Sequence, residues 1–273
     1  MSFIERLFYW QMEQPKMFSA FHLIFAISIY LFTALMVFLF KDAKRRTIKI
    51  ITLIVWIILI IMEVFKQLIY AYNGNGVLIY NWNVFPFQFC EMPLYVIPIF
   101  LINRNKTFEN ILTAFFATFI MFAGLAIFTL PFTGLAINVF LNARTMLGHG
   151  LQFMLGTLLF AWNRKNMNIK NFFLGSIIFI IGVIIAIALN TIIDPRVPQK
   201  VNMFFLNPNY ETTLLIIKHI QPHVHWIIFD LLYIVCFYII AFTTLVVEHL
   251  VWALCVFLSK KIKCKKNQVE LKN

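Results

Sequence analysis

The chain has 273 residues, of which 62% are hydrophobic and 12% charged, and a net charge of +12 from 23 Lys and Arg against 11 Asp and Glu. Soluble domains carry about a quarter charged residues, so this composition excludes an ordinary soluble enzyme. It points to an all-α polytopic transmembrane bundle, one domain spanning residues 1–273, whose basic surplus reflects cytoplasmic loops rather than a nucleic-acid surface.

The opening segment, MSFIERLFYWQMEQPK, holds acidic residues and no small-residue cleavage site, so no cleaved signal peptide is expected. Seven apolar stretches follow, at roughly 18–40, 48–70, 86–102, 108–130, 141–162, 171–190 and 226–257. In lipid each must satisfy its own backbone, so each is read as a helix. The connections KDAKRRTIK, NRNK and NRKNMNIK and the terminal SKKIKCKK are basic, whereas YNGNGVLIYNWN and LPFTGLAINVFLN hold no Lys or Arg. The positive-inside rule then gives seven spans, with the N-terminus outside and the C-terminus inside. The expected location is a cell membrane, crossed several times. Glu248 and His249 interrupt the last stretch, which predicts a span over 226–247 and an interfacial helix after it. Its Lys cluster would meet anionic headgroups.

Ionisable residues inside spans are costly and mark the working part of a membrane protein. Glu63, Lys66, Gln67 and Tyr70 recur at helical spacing on one face of the second span, with Glu63 roughly 10 Å below its outer end. Cys90 and Glu91 open the third span. His149 and Gln152 share a face of the fifth, His22 starts the first, and Asn190 ends the sixth. All of these lie toward the outer side, and the inner halves of the spans read almost purely as Phe, Leu and Ile.

The stretch NVFPFQFCEMP carries the sharpest chemistry. Pro86 suits a first helical turn with Asn83 as its cap, which places Cys90 in the second turn near the positive end of the helix dipole. Pro93 removes the N–H that would bond the Phe89 carbonyl. Gln88 and Glu91 flank the cysteine. A reactive cysteine needs a base, and RTMLGHGLQF offers His149 between Gly148 and Gly150, which allow a neighbouring helix to approach. Cys236, Cys255 and Cys264 read as small buried hydrophobes. The four cysteines form no C-x-x-C pair and suggest neither zinc nor a disulfide framework. In KHIQPHVHW, Pro222 breaks the spacing of His219 and His223, so no metal site is expected there, and no cofactor is called for.

FPFQFC, Gly148-His149, Glu63, and Asn190 followed by NMFFLNP (Asn202 to Pro208) together resemble the YwaF-like family of bacterial integral membrane proteins. That family is related to the transmembrane protein 164 acyltransferases and, more distantly, to the androgen-induced membrane hydrolases. The resemblance covers most of the chain, although the family often has His where this chain has Gln88. It implies a membrane acyltransferase acting on phospholipid or lysophospholipid, with Cys90 carrying the acyl group as a thioester at the outer leaflet. His149 would be the base. Glu63, Lys66, Gln67, Gln88, Glu91, Gln152, Asn190 and Asn202 would support the site, and membrane lipids would be the partners. The competing expectations are a lipid-ester hydrolase on the same residues and a small-solute permease.

Overall fold

In the computed structural model, residues 9–72, 77–131, 134–214 and 217–270 are described, the last nine of them by backbone only. Helix starts follow local polar chemistry. Asn105, Asn138 and Asn168 each stand before a helix and accept the N–H of the residue three places on, at 3.1, 3.0 and 3.0 Å. Such caps satisfy N–H groups that a helix start leaves orphaned. Among the described residues the long helices are α1 (Ala20–Phe40), α2 (Arg45–Ala71), α3 (Met92–Ile102), α4 (Lys106–Thr129), α5 (Val139–Asn163), α6 (Ile169–Ile193) and α7 (Trp226–Glu270). A π-helical turn, Phe116–Ile120, interrupts α4. Among the described residues there are no strands, only isolated bridges such as Gln11 to Asn138.

Among the described residues, five helices are long and apolar enough to cross a membrane: α1, α2, α4, α6 with its extension to Arg196, and α7 over Trp226–Lys261. Large apolar side chains such as Phe38, Ile102 and Ile184 stand exposed on their outer faces. Exposed apolar surface on this scale fits a lipid-facing bundle. α3 with the preceding turn is shorter, at Phe89–Ile102. α5 differs in kind. Fifteen of its 25 residues are buried, against four of 21 in α1, and its buried set includes Asn142, Thr145, His149 and Gln152. It is the central post of the bundle, with α1, α2 and α4 packed around it.

Close packing on α5 uses glycine where backbone meets backbone. A Cβ on Gly124 of α4 would lie 2.6 Å from the His149 carbonyl oxygen and 2.7 Å from the Phe153 nitrogen. Gly150 admits the Ile29 side chain of α1, whose nearest atom would stand 2.8 Å from an added Cβ. Gly148 is different: its added Cβ would meet only Leu59, at 3.8 Å. Of the two glycines beside His149, Gly150 therefore makes the close approach. The centre of the bundle is filled by aromatic rings, with Phe100, Phe115, Phe116, Phe119, Phe172 and Phe179 at most 2% exposed.

The structure corrects several sequence expectations, among them the burial of Cys255, which is exposed on α7, and of Cys236, which is half-buried. The third helix does not start at Pro86. Asn81 accepts the Asn83 N–H at 3.0 Å ahead of the short turn Trp82–Val84, and a second 3-10 turn, Phe89–Glu91, leads into α3 with Pro93 in its first turn. Cys90 thus sits in the first turn. The Phe89 carbonyl is not freed, because the Met92 N–H takes it in that tighter turn. α7 passes through Glu248 and His249 without a break, since His249 spends its Nε2 on the Met167 carbonyl at 2.8 Å instead of facing water. Buried ionisable groups also occur at the other end of the bundle. Glu109 pairs with Arg45 at 2.6 Å, and neither carboxylate oxygen of the buried Glu248 has a partner among the described residues. Cys264 and the Lys263, Lys265 and Lys266 side chains lie outside the described residues.

Candidate active site

The turn that carries Cys90 is fixed from below by aromatic packing and from both sides by hydrogen bonds. Phe87 and Phe89 stack or abut Phe204, and Phe89 meets Phe179 and Phe237 at 5.5 and 5.0 Å between ring centroids. Phe204 and Phe205 hold φ of 56° and 59°, a left-handed conformation costly for bulky residues. The chain is held there by amides. Gln88 donates through Nε2 to the Asn202 carbonyl and accepts the Phe204 N–H through Oε1, both at 2.9 Å. Asn190 accepts the Met203 N–H at 2.7 Å and donates to its carbonyl at 3.1 Å. Asn202 accepts the Asn207 N–H at 3.0 Å. Gln88, Asn190 and Asn202 therefore form one unit, a clamp on the loop behind the cysteine.

The charged residues form a second unit. Glu91 accepts the Gln88 N–H at 2.8 Å, the Lys66 ammonium at 2.5 Å and the Arg144 guanidinium at 2.9 Å. Glu63 takes Lys66 at 2.7 Å, Gln67 at 2.7 Å and Arg144 at 3.0 Å. Gln67 also donates to the Val84 carbonyl at 2.6 Å. Two carboxylates and two cations thus balance in charge and tie α2, α3 and α5 together. Burying an ion pair costs desolvation that only good geometry and full hydrogen bonding return, and this box supplies both. The Tyr80 hydroxyl, in the loop above, is pushed above its usual pKa by burial and by the Glu63 and Glu91 carboxylates.

Beneath the box lies a cavity of about 20 Å³, lined by Glu63, Cys90, Glu91, Arg144, His149 and Gln152 together with apolar residues of α2 and α3. That is room for about one water molecule. Gln152 donates to the Cys90 carbonyl at 2.8 Å. The His149 ring is held through Nδ1, 2.8 Å from the Thr145 carbonyl oxygen. A carbonyl only accepts, so Nδ1 carries the proton and Nε2 presents a lone pair. His149 Nε2 and Gln152 Oε1 are buried and have no partner among the described residues. Unpaired polar atoms of this kind are rare in folded proteins and call for an explanation.

The sequence brings Cys90, His149, Glu63, Lys66, Gln67, Glu91 and Gln152 to one place by matched depth in three helices. It places Gln88, Asn190 and Asn202 one layer behind. His22 lies elsewhere, between α1 and α4. The exposed His219, His223 and His225 do not line the cavity. Arg144, which bridges both carboxylates, was not singled out by the sequence reading. Its signal was available: it is a lone Arg just past a connection otherwise free of Lys and Arg.

No curated protein and no solved structure gives a significant match to this chain. The model of the TMEM164 family matches residues 17–241, a range that contains the cavity, the charge box and the clamp. The match spans most of the chain, and the protein belongs to the TMEM164 family.

Proposed function

We propose that this protein is a membrane-embedded acyltransferase that passes lipid acyl chains through a thioester on Cys90. The observation that carries the reading is the buried His149 Nε2. It is an acceptor with no donor among the described residues, on the same small cavity as a cysteine. Membership in the TMEM164 family supports the reaction class. In this reading all seven helices cross the membrane, with the N-terminus outside and the C-terminus inside, so Cys90 works at the outer leaflet of a bacterial cytoplasmic membrane.

The Cys90 Sγ attacks the carbonyl carbon of an acyl ester while His149 Nε2 takes the thiol proton. The tetrahedral intermediate collapses, the ester C–O bond breaks, and His149 returns the proton to the departing lysolipid hydroxyl. An acceptor lysophospholipid hydroxyl then attacks the thioester, His149 takes its proton, and the new ester leaves Cys90 as thiol once that proton is returned. The N–H groups of Phe89 and Cys90 stand in the first helical turn without acceptors among the described residues, and donors of this kind suit a developing oxyanion. Gln152, Glu63, Lys66, Gln67, Glu91 and Arg144 hold the geometry, and Gln88, Asn190 and Asn202 support the turn from behind. A cavity of this size does not hold an ester, so substrate binding parts the outer ends of α2, α3 and α5.

Hydrolysis is the second reading, since about one water fits beside Cys90. A permease is less well supported: the aromatic layer of Phe100, Phe116, Phe119 and Phe179 separates the polar groups at the two ends of the bundle. The test is acyl exchange in proteoliposomes with labelled phospholipid and lysophospholipid. Cys90→Ala should lose exchange to background while keeping its size-exclusion profile. Wild-type exchange by the alanine variant would contradict the mechanism, and release of free fatty acid without exchange would select the hydrolase.

A further inference from the structure

The second cavity lies at the other end of the bundle, about 270 Å³ in volume, between the α1–α2 turn (Lys41, Asp42, Ala43) and the end of α5 (Trp162 to Asn166). The turn is pinned in place because Trp162 Nε1 donates to the Ala43 carbonyl at 3.0 Å. Trp252 of α7 lies beside it. The Arg164 guanidinium stands 4.8 Å from the Trp252 ring centroid and the Lys41 ammonium 5.7 Å from it.

The charge here is not balanced. Lys41, Arg164 and Lys165 face one carboxylate, Asp42. That carboxylate is 65% exposed and meets both terminal Arg164 nitrogens through a single oxygen at 3.3 Å. A long, solvated pair of this kind is weak and easily exchanged for a better anion. Lys41 and Lys165 have no carboxylate or carbonyl within hydrogen-bond distance among the described residues. The contrast with the box at Cys90 is direct: there every cation is matched by a carboxylate, whereas here two positive charges are left over in an open cleft.

We infer that this cleft binds the phosphate of an anionic lipid headgroup. Arg164 offers a planar fork suited to phosphate oxygens, and Lys41 and Lys165 add point charges. Next to the cations the surface turns apolar: Phe38 and Leu39 in the last turn of α1 and Val251 beside Trp252 are all large, exposed side chains. Acyl chains would lie on them while the phosphate sits in the cleft. Tryptophan at this level matches the ring chemistry of a membrane interface, and basic pockets between helices are a recurrent headgroup site. The site is separate from Cys90 and does not depend on the reaction there.

The test uses the full chain in detergent, stripped of lipid and titrated with phosphatidylglycerol or phosphatidylcholine, with retained lipid counted by native mass spectrometry. One phosphatidylglycerol should be retained at least tenfold better than phosphatidylcholine. Lys41→Gln with Arg164→Gln should abolish the preference, and Lys200→Gln with Lys218→Gln, exposed in the connection before α7 and away from this cleft, should leave it unchanged. Asp42→Asn removes the competing carboxylate without disturbing the helices, and should raise retention severalfold. Equal retention of the two lipids, or an unchanged preference in the Asp42 and Lys41/Arg164 variants, would overturn the inference. Displacement of the lipid by millimolar inorganic phosphate would assign the cleft to free phosphate and overturn the lipid assignment.

Discussion

Two buried histidines in this protein are anchored alike and finished differently. His22, 1% exposed, joins α1 to α4: its Nδ1 accepts the Phe18 N–H at 3.0 Å, so Nε2 donates to the Phe128 carbonyl at 2.9 Å. His149, 6% exposed, uses Nδ1 on the Thr145 carbonyl and leaves Nε2 with no partner among the described residues, on the cavity of Cys90. A ring with both nitrogens bonded is a joint between helices. A ring with one nitrogen fixed and the other bare has its tautomer and direction set in advance, which is what a general base requires. The same residue type at the same side of the bundle therefore reads as structure in one place and chemistry in the other.

The widest separation between the two should come from removing each ring's function. His149→Asn is expected to lower acyl exchange by about 10²–10⁴-fold, with little change in melting temperature. His22→Asn should do the reverse, costing about 1–3 kcal/mol through a lost buried hydrogen bond and leaving exchange in the surviving protein intact. Matched losses of activity in both would erase the distinction. The next effect concerns the frame around His149. Arg144→Met leaves Glu63 and Glu91 facing Lys66 alone, and breaking a buried ion network in this way costs about 3–5 kcal/mol. Thermal unfolding in detergent should show a drop of many degrees, and an unchanged midpoint would mean that the box is not a stabilising unit. The smallest effect is expected at Gly150→Ala, where one side chain, the branched Ile29, must give way to a Cβ that would stand 2.8 to 3.2 Å from three of its atoms. A cost of about 1–3 kcal/mol is the usual range for overpacking, and this site should fall within it.

Much of this geometry can be traced to single residues. Glu63, Lys66 and Gln67 fall on one helix face, and Cys90 and His149 share a depth, so the requirement that buried charge find a partner already draws three helices together. The seven apolar stretches all became helices for the equally general reason that backbone in lipid must bond itself. Other features depended on facts of packing. Arg144 lies in the first turns of α5, at the edge of its apolar run, and its two carboxylate partners sit on segments that only the fold brings near. Pro86 and Pro93 both suit a first turn, and the aromatic seat beneath Phe87 and Phe89 decides between them. Glu248 looks like an interruption in a hydropathy profile, which does not distinguish a carboxyl facing water from one buried against neighbouring helices.

The most direct test of the central claim is intact-protein mass spectrometry of the purified protein, supplied with phospholipid and kept free of reducing agent. The account predicts an acyl adduct that maps to Cys90, disappears with hydroxylamine, and is absent from Cys90→Ala. A protein that stays unmodified across a broad range of phospholipids, or carries its adduct on Cys236 or Cys255 instead, would contradict it.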